Sequence, residues 1–136
     1  MSVSDRQRAL VRRSFPQVAT YHSRVSRLFY DKLFEIAPEV RDLFTIDMAV
    51  QGDKLMQMLA MLVSSLDDSA QLIEASASLG QRHVGYGVTH DQYKLVGQAL
   101  MWALEESLPL VMTAPVLDAW QAAYQAIADA AIKGSS

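Results

Sequence analysis

"LGQRHVGYGV", residues 79–88, sets an imidazole at the end of an apolar helical run and follows it with two glycines. Counting back from His83, the residues Leu79, Ser76 and Leu72 recur at spacings of four, three and four, the period of a helix with one face turned to a core. Gly85 and Gly87 end the run, because glycine takes the chain-reversing backbone conformations that close helices. His83 is therefore the last inward residue of its face. No neighbouring Cys, Asp or Glu completes a metal cage around it, and no Ser or Cys nucleophile stands nearby for it to serve as base. Its partner must come from elsewhere.

The same period runs outward in both directions. No stretch alternates apolar with polar residues as a half-buried strand would, so the expected fold class is all-α. Toward the C-terminus, Thr89 and Gln92 form a capping-box pair opening a helix with Tyr93, Val96, Leu100, Leu104 and Leu108 on one side, closed by Pro109. Thr113 and Pro115 start a last helix whose Leu117, Trp120, Tyr124, Ile127 and Ala131 share a face, with Gly134 as its stop. Toward the N-terminus, a long helix over about 47–66 carries Gln51, Leu55, Met58 and Leu62 on one stripe. Its greasiest part, "LMQMLAMLVSSL", is about half the length of a bilayer span and reads as a core helix. A second helix from about Tyr21 carries Val25, Leu28, Phe29, Leu33 and Phe34 and stops before Pro38, after which "PEVRDLF" reads as a short helical corner. The first helix starts at Ser4, paired with Gln7 in another capping box, and presents Leu10, Val11, Phe15 and Val18. Pro16 is where it is expected to end or bend.

Composition bounds what such a helical chain can do. Its 136 residues fit one domain able to bury a core, and 51% hydrophobic against 20% charged residues is the balance of a globular chain. A net charge of −3 and a pI of about 5.5 provide no basic field for phosphate backbones or anionic lipid. Neither nucleic acid nor a membrane is an expected partner. Cysteine is absent and "MSVSDRQRAL" lacks the apolar segment of a secretion signal, so a cytoplasmic location is the default expectation.

Gln51 and His83 stand out as polar residues placed inward among apolar ones. A buried polar group without a partner costs about 1–3 kcal/mol, so each needs a reason. One reading is a core histidine bonded to a carbonyl and a glutamine half in water at a helix start. The other is a slot between two helices that holds a flat apolar cofactor, with His83 binding its metal and Gln51 guarding the opposite face. Haem suits the second reading: the porphyrin supplies four nitrogens, and the protein need add only one axial imidazole and an apolar crevice. The carbonyl of Leu79, one turn back, can accept from the other ring nitrogen and fix the tautomer.

"RLFYDKLFEIAPEVRDLF", "QGDKL", "LGQRHVGYGV", "YKLVGQAL" and "LDAWQAAYQAIAD", in that order, resemble the single-domain bacterial haemoglobins and the globin half of flavohaemoglobins, from about residue 5 to 132. The resemblance implies a globin fold of about six to eight helices over residues 1–136, with a core of about 4–133. It further implies haem b as cofactor, and O₂, CO and NO as small ligands. It makes His83 the proximal iron ligand and Phe44 the phenylalanine stacked on the haem. Leu55, Leu79, Val88, Tyr93 and Val96 line the cofactor, and Tyr30, Gln51 and Leu55 face the distal gas. In this family Tyr93 acts with a glutamate from the last helix to polarise the histidine. The matching place here falls near Ser135, in "KGSS", so that push is not expected. Oxygen binding, transport or storage is the leading activity. Nitric oxide dioxygenation with an external reductase, weak peroxidase action and haem-based gas sensing are the alternatives.

The remaining candidates read as structural. Met56, Met58 and Met61 suit adaptable packing, His22 and His90 lie near helix starts, and the charges of "DRQRALVRR" form an outer helix face on which a basic residue could meet a haem propionate.

Overall fold

The computed structural model describes residues 3–43, 48–66 and 90–134. They form five α-helices and one 3-10 helix, with no strand among the described residues: α1 (Asp5–Thr20), α2 (His22–Ile36), the 3-10 segment Pro38–Leu43, α3 (Met48–Ser65), α4 (His90–Ser107) and α5 (Ala114–Gly134). The helix expected to end at His83 lies outside the described residues.

Local chemistry explains the boundaries. Ser4 and Gln7 close the expected capping box, Ser4 Oγ accepting from the Gln7 N–H and Gln7 Oε1 from the Ser4 N–H, both at 3.1 Å. Pro16 does not end α1, which continues to Thr20, and the break falls instead at Tyr21, where ψ opens to 31°. The missing proline N–H is tolerated because Val11, Ser14 and Val18 keep one face of α1 buried on either side of it. Thr20 Oγ1 also donates to the Pro16 carbonyl at 2.8 Å. His22 and His90 are the first residues of α2 and α4.

Packing joins α1 to α5 and α2 to α4, while α3 lies across α2. On α3 the buried stripe is Leu55, Leu59 and Leu62, continued by Leu66 just past its end, with Met58 only half-buried; the stripe is turned slightly from the one read in the sequence, and Met56, Met58 and Met61 pack along its edges. Among the described residues no helix is long and apolar enough to cross a membrane.

The α1–α5 contact closes over a fully buried Trp120, whose ring stands 6.4 Å from that of Phe15. Its indole Nε1–H donates to Ser14 Oγ at 2.8 Å, and that hydroxyl donates in turn to the Leu10 carbonyl at 2.8 Å. One serine thus satisfies the tryptophan N–H inside the core. Ser14→Ala strands that donor and is expected to cost about 1–3 kcal/mol in urea denaturation. An unchanged midpoint would show that the bond contributes nothing net.

Candidate functional site

Helices α2 and α3 meet at a point where neither carries a large side chain. A Cβ added to Gly52 would stand 3.2 Å from Ser26 Cβ and 3.3 Å from Ser26 Oγ, so the backbones approach as closely as a glycine permits. This contact sets the register between the two helices. Tyr30 follows Ser26 by one turn, Leu55 follows Gly52 by three residues, and Gln51 immediately precedes Gly52. Tyr30 is 6% exposed and Leu55 5%. The crossing therefore lies one turn before Tyr30 on α2 and between Gln51 and Leu55 on α3, residues 21 to 25 positions from Tyr30 in the chain.

Tyr30 is held by aromatic neighbours on its own helix. The Phe29 ring meets it edge-on at 4.8 Å and 71°, and the Phe34 ring lies tilted beside it at 6.0 Å and 31°. Burial pushes its phenol up to about 12, and burial likewise raises the phenols of Tyr93 and Tyr124, the latter further through the neighbouring Tyr93. All three are neutral hydrogen-bond donors throughout the physiological range. In the unfolded chain phenols ionise near pH 10, so between about pH 10 and 12 the unfolded state binds fewer protons than the folded one. Stability is therefore fully present below about pH 10 and declines as pH rises through the window. The urea midpoint is expected to fall above pH 10, and Tyr30→Phe to flatten part of that fall. A midpoint constant from pH 9 to about 12 would contradict it.

On α4 the expected inward set is in place: Tyr93, Leu100, Leu104 and Leu108 are buried, although Val96 is only partly so. A contact absent from the sequence reading secures this helix. Tyr124 of α5 donates its hydroxyl to the Tyr93 carbonyl at 2.6 Å, in the interior. Gly97, one turn beyond Tyr93, makes room, since a Cβ there would lie 2.7 Å from Tyr124 Cε2. A glycine set among larger residues on an inward helical face was the available signal. Gly97→Ala is expected to destabilise by roughly 1–3 kcal/mol through overpacking, and to do so less in a Tyr124→Leu background. Strictly additive effects in that cycle would contradict the notch.

Of the residues marked in the sequence, Tyr30, Leu55, Tyr93 and Val96 are described with their side chains. Gln51 is placed in α3 by its backbone alone. Phe44, Leu79, His83 and Val88 lie outside the described residues, as does Ser135. On the described side, α2 and α3 offer a buried apolar wall broken by one neutral phenol, which fits a flat apolar macrocycle carrying a small polar ligand.

The chain belongs to the globin family, whose family model matches residues 27–131. Among curated relatives it is 31% identical over 131 residues to a flavohemoprotein of Bordetella pertussis, covering 93% of this chain and 32% of the relative. To a flavohemoprotein of Pseudomonas aeruginosa it is 33% identical over 135 residues, covering 96% and 34%. The chain thus spans about a third of the length of these relatives. Among solved structures it is similar to an engineered carbene transferase based on a Rhodothermus marinus protein described as a nitric oxide dioxygenase, with a TM-score of 0.87, 30% identity and coverage of 98% and 94%. A bacterial globin of Campylobacter jejuni shares the fold at a TM-score of 0.84 and 22% identity, covering 97% and 96%.

Proposed function

We propose that residues 1–136 act as one globin domain that holds haem b through His83 and reversibly binds O₂, CO and NO, serving oxygen binding, transport or storage in the cytoplasm. Haem supplies the iron at which a diatomic gas is held. The observation that carries the reading is the Ser26–Gly52 contact, because it aligns the turn of Tyr30 with the turn of Gln51 and Leu55. Phe44, Leu55 and Val96 wall the cofactor, together with Leu79, Val88 and Tyr93 from the segments on either side of His83. Tyr30 and Gln51 donate hydrogen bonds to a partly anionic gas such as O₂. Leu55 excludes water from the same space. The Tyr30 phenol stays protonated because burial opposes its ionisation, so it remains a donor.

Absorption spectra of the ferric, ferrous, oxygenated and carbonyl forms test the proposal. A Soret band at one haem per chain and a reversible oxygenated form are expected. A protein that takes up no haem would overturn it.

Nitric oxide dioxygenation is the second reading, favoured by the likeness to the Rhodothermus marinus protein. It requires an electron donor, for which an external reductase is proposed. Catalytic consumption of nitric oxide with NADH and a flavin reductase supports it; one turnover per haem speaks against it.

A further inference from the structure

Phe34 touches Tyr30 on one side and a cation on the other. The Arg41 guanidinium, carried by the 3-10 segment, sits over the Phe34 ring with its Cζ 4.7 Å from the centroid. That is within the distance at which a guanidinium is attracted to the face of an aromatic ring. Phe34 is half-buried and packs against the core, with its ring 6.0 Å from that of Tyr30. The Phe29 ring meets Tyr30 edge-on at 4.8 Å. Tyr30 therefore has two ring neighbours, one of which is covered by a charge that is itself exposed.

We propose that Arg41 is a positioning residue for gas selectivity: by holding Phe34 against Tyr30 it fixes the direction in which the Tyr30 hydroxyl points. This rests on the reading of Tyr30 as a donor to the gas. Its ring has two side-chain torsions, and the hydroxyl swings through an arc when either changes, so a hydrogen bond of fixed direction needs both ring faces constrained. Phe29 is adjacent in sequence and fixed by the same helical turn. Phe34 is one turn on, near the end of α2, with only Glu35 and Ile36 beyond it before Ala37 leaves the helix. A ring so close to a helix end is the less constrained of the two, and Arg41 reaches it from the next element of the chain. The cation also ties the 3-10 segment to α2, which pack against each other.

The test compares the ferrous holoprotein of wild type, Arg41→Met, Arg41→Lys and Tyr30→Phe. Arg41→Met keeps an apolar stem over the ring and removes the charge. It is expected to speed O₂ release roughly two- to fivefold, the size of a surface cation–π contact, while CO release stays within about twofold. The infrared band of CO in the pocket is expected to split or broaden in Arg41→Met, as Tyr30 samples more than one direction, and to sharpen again in Arg41→Lys, whose ammonium can occupy the same place. A merely structural role would move both gases together and leave the band shape unchanged. Either that result, or no rescue by lysine, overturns the proposal even when Tyr30→Phe accelerates O₂ release. If Tyr30→Phe itself leaves O₂ release unchanged, the donor reading fails, and the role of Arg41 fails with it.

Discussion

His83→Ala is expected to leave a protein that folds but retains haem at a small fraction of one per chain. The chain has three histidines, and His22 and His90 both fall at helix starts, whereas His83 alone follows an apolar run of helical period in the sequence. No cysteine is present to substitute. Apart from Tyr93 the other residues proposed to wall the cofactor are apolar, and apolar packing would hold it without directing it. Because the cofactor binds the native state alone, its loss also removes the stabilisation that mass action supplies, about 2.7 kcal/mol at a hundredfold excess over Kd. The variant should melt where the haem-free wild type melts, and both below the holoprotein. Imidazole in solution is expected to restore part of the Soret band by filling the vacated position. A full Soret band and carbonyl complex in the variant without added imidazole would show that His83 is not the ligand.

What could be read from the sequence divides by the range of the interaction. Helix limits depend on neighbours three or four residues away, which is why the Ser4–Gln7 box, the stop before Pro38 and the start of α5 after Thr113 were all legible. Pro16 does not end α1, because its cost is local while the burial of Val11, Ser14 and Val18 against α5, over a hundred residues on, is not. The close approaches were harder still. Ser26 and Gly52 are small residues on inward faces, and nothing in either neighbourhood says which helix each must meet. The same holds for Gly97 and Tyr124: the hydroxyl that reaches the Tyr93 carbonyl could be foreseen as needing a partner, but not as having that one. The place of the family's glutamate falls near Ser135, beyond the end of α5, whereas the residue that secures Tyr93 lies in the middle of that helix. Tyr30 and Leu55 could be marked through the family resemblance alone, since neither a tyrosine nor a leucine on a helix announces a site. Both are buried near the helix crossing.

The distal pair gives the other large expected effect. O₂ bound in the pocket draws electron density and carries partial negative charge, whereas CO carries little. A donor aimed at the ligand therefore discriminates between gases of nearly equal size. Hydrogen bonds to charged groups contribute roughly 1.5–3 kcal/mol, so Tyr30→Phe is expected to release O₂ about ten- to a hundredfold faster, with CO release almost unchanged. The substitution keeps the ring between Phe29 and Phe34, so packing is preserved and the hydroxyl alone is removed. Gln51→Leu should act in the same direction, because its backbone lies in the turn of α3 that meets α2 at Gly52. If the two donors bind the same ligand atom, the double variant should fall short of the product of the single effects, as interacting groups do. Stopped-flow replacement of O₂ by CO, and of CO by NO, measures all four rates. Wild-type release of both gases from both single variants would place neither side chain on the ligand. An effect of Tyr30→Phe alone would make the tyrosine the sole donor and turn Gln51 toward solvent or a propionate. An equal acceleration of both gases would mean that the variants open the pocket rather than remove a bond, since loss of a hydrogen bond to a nearly neutral ligand has little to release.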